Sequence, residues 1–156
     1  MTLKELNIIN FKNIAEATLT FTSGFNCFVG NNGVGKTNVL DAIYHLSMCK
    51  SYFNLPDLQN IRHEEPFFVV QGKYERGGEE LTVYCGVKRG QKKVFKKNQK
   101  AYDKLSEHIG LIPLVMISPE DFILIDGGSE ERRKLVDGII SQCDRCLLYT
   151  SDAADE

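Results

Sequence analysis

Gly30, Asn31, Asn32, Gly33, Val34, Gly35, Lys36 and Thr37 satisfy the pattern G-x-x-x-x-G-K-[ST] at every fixed position, and that pattern has a mechanical meaning. A chain of phosphates needs many donors at close range. Glycines at 30, 33 and 35 leave the backbone unobstructed, so successive N–H groups can converge on oxygen. A helix opening at about Lys36 adds the positive end of its dipole. Lys36 then supplies a mobile cation for the β- and γ-phosphates of ATP, and the Thr37 hydroxyl is placed to ligate Mg²⁺. A glycine-rich turn could match by accident, but the flanks argue against it. Phe25-Asn26-Cys27-Phe28-Val29 reads as a short buried strand, and Val39, Leu40, Ala42, Ile43 and Leu46 recur at helical spacing.

The 156 residues, 42% of them hydrophobic and 10% aromatic, suit one soluble domain with a core. No apolar run approaches the roughly 20 residues of a membrane span, and Met1-Thr2-Leu3-Lys4-Glu5 does not begin a signal peptide, so a cytoplasmic protein without membrane partners is expected. Cys27, Cys49, Cys85, Cys143 and Cys146 are odd in number and scattered, which points to free thiols. Cys143 and Cys146 form the single close pair, and His45, His63 and His108 do not complete a zinc set around it.

Residues 146–156 break the preceding pattern and resemble a translated sequencing adapter. They read as a non-native tail, leaving residues 1–145 as the folding unit and making the C-x-x-C a junction accident. The alternative is a frayed natural C-terminus. Without the tail, 21 acidic and 19 basic residues become 18 and 19, so the formal charge moves from −2 to +1. The abrupt stop after a helix reads as a truncated product.

Leu3, Leu6, Ile8, Ile9 and Phe11 mark a first strand, Lys12-Asn13 a turn, and Ala17 to Phe21 a half-exposed second strand. Two strands ahead of the glycine loop form a meander, unlike a simple kinase whose loop strand comes first. Ser51 to Glu65 reads as a loop with one short helix. Phe67–Tyr74 and Leu81–Val87 read as strands joined by Arg76-Gly77-Gly78-Glu79, and Val94-Phe95 with Lys100-Ala101-Tyr102 as a second hairpin. Leu105 to Ile109 is a brief helix, Leu111 to Ile117 a buried strand, and Ser118-Pro119-Glu120-Asp121 a turn. Ser129 caps a helix running to about Gln142.

Three stretches carry a family resemblance. Asn10-Phe11-Lys12-Asn13 is similar to the N-F-[RK]-N turn of SMC-like ATPases, and Val29 to Ile43 to their extended P-loop and helix. Ser118-Pro119-Glu120-Asp121, with Leu124, Gly127 and Arg132 to Asp137, resembles RecF more narrowly. Over Met1 to Arg145 the chain is similar to the N-terminal part of the RecF family, with Glu130 standing where the family usually has proline. The resemblance implies an α/β fold: the N-terminal lobe of an ABC/SMC-type P-loop NTPase head, incomplete, with an antiparallel β-meander and hairpins. It implies ATP and Mg²⁺ as cofactors, and DNA, double-stranded or at single-strand gaps, as partner. It also implies an ATP-dependent homodimer of the full-length protein, recombination mediators as further partners, and work in DNA repair, replication and the SOS response.

The full-length family is a slow DNA-dependent ATPase, but this stretch lacks the parts for turnover. Phe122-Ile123-Leu124-Ile125-Asp126 imitates a Walker B run, yet Gly127 stands where the catalytic carboxylate belongs. The resemblance places the true motif and the signature loop beyond residue 145. No catalytic residue is therefore assigned, and the chain alone is expected not to hydrolyse ATP.

Lys88, Arg89, Lys92, Lys93, Lys96, Lys97 and Lys100 form a basic run without an acidic neighbour, suited either to DNA phosphates or to a solvated hairpin tip. Lys12 lies at a turn that in related heads nears the triphosphate; it reads equally as an exposed turn lysine. Arg132 and Arg133 pair with helix neighbours or with phosphate, and His45 reads as packing. Two function classes stay open: an ATPase subunit whose ATP-bound heads dimerise on DNA, and a binding module in which ATP acts mainly as glue.

Overall fold

The structure is a computed structural model and describes residues 1–143. The tail assigned to 146–156 lies outside them, as does Cys146. Strands β1 (Thr2–Phe11), β2 (Ile14–Thr20), β3 (Phe67–Arg76), β4 (Glu79–Lys88), β5 (Val94–Lys97) and β6 (Lys100–Ala101) form one antiparallel sheet in the order β2-β1-β3-β4-β5-β6. The helices are α1 (Lys36–Met48), a single turn α2 (Ile123–Asp126) and α3 (Ser129–Ser141), with 3₁₀ turns at Asp57–Asn60, Leu105–Glu107 and Pro119–Phe122.

Alternation along the strands decides the core. Leu6 and Ile8 of β1, Phe68 and Val70 of β3, Val83 and Cys85 of β4, and Phe95 of β5 all face α1 and are buried. Phe11 lies three residues beyond Ile8 and also faces inward, because Asn10 between them adopts a left-handed φ of 52° and breaks the alternation. The helix contributes Val39, Ala42 and Leu46. It sits close to β3 because position 72 is glycine: a Cβ there would lie 2.9 Å from Leu46 Cδ1. Each large side chain so buried contributes roughly 1.5–3 kcal/mol, and together they fix α1 on the sheet.

The two hairpins and the β1–β2 turn fall where the residues place them. Gly77 and Gly78 take φ of 60° and 86° between β3 and β4, the mirror-image turn that matches strand twist. Three other expectations are corrected. Phe25 to Val29 is not a buried strand: Phe25 and Val29 are fully or almost fully exposed, and among the described residues the segment joins no strand. Leu111 to Ile117 is likewise irregular, with Ile112 buried but Val115 and Ile117 exposed. An apolar run becomes a strand only beside a second strand that shares its backbone bonds, and among the described residues neither run has one; Leu114 bonds instead to the Gln142 side chain. Ser129 is the first residue of α3 rather than its cap, which is Gly128.

The lower end of the core is closed by His108, fully buried, with Nε2 2.6 Å from the Leu46 carbonyl oxygen and Nδ1 3.2 Å from the Tyr102 hydroxyl. Burial holds its pKa below the ordinary 6.5, so the unfolded chain takes up the proton first. Stability from this group is therefore complete above that value and is lost as pH falls below it. Thermal melts from pH 8 to pH 5 are expected to show a fall in Tm below about pH 6.5 that is reduced in His108→Gln; parallel profiles for the two proteins would contradict it.

Candidate nucleotide-binding site

Between β2 and α1 the chain turns at Ser23-Gly24. Asn26 fastens this turn, accepting from Thr22 N–H at 3.0 Å and donating to the carbonyls of Thr22 and Gly24. The glycine loop follows, exposed along Gly30 to Val34. Gly33 and Gly35 take φ of 86° and 106°. Gly35 caps α1 from the left-handed region, with no side chain bonded to the first-turn N–H groups and no acidic residue in that turn. The open donors and the dipole of a 13-residue helix thus face outward at one point. Lys36 crosses the loop, its Nζ donating to the carbonyls of Gly30 at 2.7 Å and Asn31 at 2.8 Å. Thr37 lies beside it, at the same helix start. Backbone donors, an ammonium and a hydroxyl gathered within one helical turn fit a phosphate chain with its magnesium ion.

The β1–β2 turn supports this loop from below. Asn13 Nδ2 donates to the Gly33 carbonyl at 2.8 Å, and Asn13 Oδ1 accepts from Asn38 Nδ2 at 2.7 Å. Lys12 takes a left-handed φ of 52° and pairs through Nζ with Asp41 Oδ2 at 2.6 Å, lying 4.7 Å from the centroid of the Phe53 ring. Asp41 is fully buried and also accepts from Ser51 Oγ at 2.8 Å and Tyr52 N–H at 2.7 Å. The Tyr52 hydroxyl continues to the Asp121 carboxylate at 2.6 Å, within the Ser118–Asp121 capping box. Sequence reasoning missed Asn13, Asn38 and Asp41 as a set. The signal was present: Asn38, Asp41 and His45 recur at three and four residues, a polar face on an otherwise apolar helix.

Beside the turn runs residue segment 60–62, bonded to it by Lys12 N–H to the Asn60 carbonyl and Arg62 N–H to the Asn10 carbonyl, each 2.8 Å. An open cleft of about 810 Å³ lies there, with Lys12, Asn13, Ile61, Arg62, His63 and Arg89 among its walls.

The basic run divides. Lys93 turns inward to Asp57 at 2.7 Å and to the Cys49 carbonyl at 2.6 Å, its side chain only 17% exposed. Asp57 also meets His45 Nε2 at 3.2 Å. Burial opposes its ionisation, but the His45 and Lys93 bonds outweigh it and hold its pKa below the usual value. Lys93 therefore anchors the hairpin and is not part of an exposed stripe. Lys96 lies over the Tyr84 ring at 5.5 Å. Arg89 Nε donates to the Glu65 carbonyl at 3.3 Å, and Lys88, Lys92, Lys97 and Lys100 are exposed.

Asp126 ends the helical turn α2, so Phe122 to Asp126 is no Walker B strand. Arg132 Nη1 donates to the carbonyls of Leu124 and Gly127, an intramolecular use. His45 is buried and stacked on Phe95, as packing requires. Cys49 and Cys85 are buried and free, and burial pushes the Cys49 thiol up to about 12. Among the described residues no helix is long and apolar enough to cross a membrane.

Comparison with known proteins agrees with this geometry. The family model described as AAA ATPase domain matches residues 1–118. The DNA replication and repair protein RecF of Phocaeicola vulgatus is 58% identical over 149 residues, and that of Flavobacterium johnsoniae 55%. The matches cover 95% and 96% of this chain but 40% and 42% of those proteins. Among solved structures, the recombination mediator protein RecF-ATPrS in the RecFOR pathway superposes with a TM-score of 0.89 at 33% identity, over 95% of this chain and 40% of that one. The SMC head domain from Thermotoga maritima gives 0.56 at 27% identity, over 69% of this chain and 40% of that one. The chain belongs to the AAA ATPase domain family and is a RecF-type portion of it, spanning about 40% of the length of the RecF proteins it matches.

Proposed function

We propose that the chain binds ATP with Mg²⁺ at Gly30 to Thr37 as the nucleotide-holding lobe of a RecF-type DNA replication and repair protein. The observation that carries this reading is the start of α1, whose uncapped N–H groups, Lys36 and Thr37 meet at one point beside the exposed loop. Backbone N–H groups of the loop hold the β-phosphate, Lys36 leaves the Gly30 and Asn31 carbonyls for the β- and γ-phosphates, and Thr37 holds the magnesium ion. The ion screens the phosphate charge when bound. The cleft beside Asn13 and Arg62 leaves room for the nucleoside, with Lys12 at its edge.

In the full-length protein this binding gates association of two heads on DNA in the cytoplasm, together with recombination mediator partners. Lys88, Arg89, Lys92, Lys96, Lys97 and Lys100 supply phosphate contacts, while Lys93 holds the hairpin in place. This reading assigns no catalytic carboxylate to residues 1–143 and gives this lobe the part of binding and gating.

Lys36→Ala is expected to weaken binding of a fluorescent ATP analogue by at least about 100-fold, since the variant has no ammonium to meet the phosphate charge. Equilibrium titration with Mg²⁺ measures it, and unchanged affinity overturns the phosphate assignment. Charge reversal of Lys92, Lys96 and Lys97 in the full-length protein is expected to weaken duplex DNA binding alike for all sequences. It should also reduce the salt slope by roughly 0.9 for each DNA phosphate that the variant no longer neutralises. Wild-type affinity and slope, with ATP still bound, would assign the hairpin to solvent.

A further inference from the structure

We propose that Asn13 is a positioning residue for the nucleotide: its side-chain amide sets the direction of a phosphate-facing N–H in the glycine loop. This rests on the reading of Gly30 to Thr37 as the phosphate site. The Asn13 amide reaches across twenty residues of sequence to donate to the Gly33 carbonyl at 2.8 Å. A peptide group is planar and trans, so its C=O and N–H point in opposite directions. Holding the Gly33 oxygen against the β1–β2 turn therefore fixes the Val34 N–H pointing away from that turn, toward the mouth of the loop.

The amide is itself held. Its oxygen accepts from Asn38 Nδ2 at 2.7 Å, which orients the two ends of the Asn13 side chain so that the nitrogen faces Gly33. Lys12, next in the chain, is tied to Asp41 on the same helix, so the turn cannot withdraw without breaking an ion pair. The fit is tight at Gly35, where an added Cβ would lie 2.7 Å from Asn13 Oδ1 at a φ of 106°. A side chain at 35 would thus displace the clamp as well as strain the helix start.

The clamp works before any nucleotide arrives. A loop whose N–H groups already point inward loses less conformational freedom on binding than one that must reorganise, and that difference appears as affinity. Without Asn13 the Gly33–Val34 peptide is free to rotate, and one donor of the cradle is averaged over directions.

The test uses the full-length protein with Asn13→Ala, Asn13→Asp and Lys36→Ala as separate variants. Asn13→Asp keeps an acceptor for Asn38 and the side-chain shape but cannot donate to Gly33; because it also adds a negative charge beside the phosphates, its readout is the order of Val34 without nucleotide, and Asn13→Ala carries the affinity. Titration with Mg²⁺ and a fluorescent ATP analogue is expected to show about three- to tenfold weaker binding in Asn13→Ala, the range for removal of one hydrogen bond. Backbone amide order parameters from NMR relaxation at Val34 and Gly35 without nucleotide should fall in both Asn13 variants, with Tm near wild type, whereas Lys36→Ala should leave that of Val34 at its wild-type value. A purely structural asparagine would lower Tm and leave the order of Val34 unchanged relative to the rest of the glycine loop. If Asn13→Ala binds like wild type, or Asn13→Asp leaves the order of Val34 at its wild-type value, while Lys36→Ala loses binding, the clamp is wrong and the phosphate site stands. If Lys36→Ala also binds normally, the phosphate site itself is wrong.

Discussion

A carboxylate with no solvent exposure, Asp41, ties the functional end of the molecule together. A lone buried carboxylate costs several kcal/mol, so its surroundings must supply donors, and here two segments do. Lys12 reaches it from the β1–β2 turn, Ser51 and Tyr52 from the loop after α1, and the helix itself presents it. Removing any one donor leaves charge poorly compensated in the core. The turn, the helix start and the following loop are therefore one mechanical unit, and the glycine loop is mounted on it.

That arrangement separates two requirements that oppose each other. A phosphate cradle must leave N–H groups unsatisfied and exposed, which weakens the loop as structure. Rigidity has to come from outside the loop. The sheet provides it through α1, seated on Gly72 and the inward faces of β1, β3 and β4, and the turn provides it through Asn13 and Asn38. The same economy explains Lys93, whose charge is used on Asp57 and the Cys49 carbonyl to fasten the β5 hairpin to the end of α1.

The residues made the glycine loop and the two hairpins legible because each depends on local chemistry: φ values that glycine permits, turn residues at fixed offsets, apolar alternation. The misread runs, Phe25 to Val29 and Leu111 to Ile117, have strand composition but no partner strand among the described residues, and strand formation is a property of a pair. Composition likewise could not divide the basic run, since Lys93 turns inward only because the fold brings Asp57 and the Cys49 carbonyl to the residue that precedes β5. Lys12 stands in a recognisable turn motif, yet its partner Asp41 was visible only as one of the recurring polar positions Asn38, Asp41 and His45 on α1. Which turn residue meets which distant helix or loop position leaves no trace in a sequence, so the pairings Lys12–Asp41 and Asn13–Gly33 emerge only from the fold.

The central claim is that a triphosphate is held by the backbone of residues 30–37. Two-dimensional amide NMR of this chain, titrated with Mg²⁺ and a slowly hydrolysed ATP analogue, tests it residue by residue. The account predicts the largest shifts at Gly33, Val34, Gly35, Lys36 and Thr37, with smaller ones at Asn13 and Arg62. Saturable shifts centred on the β5 hairpin or on α3, with the glycine loop unmoved, would contradict it.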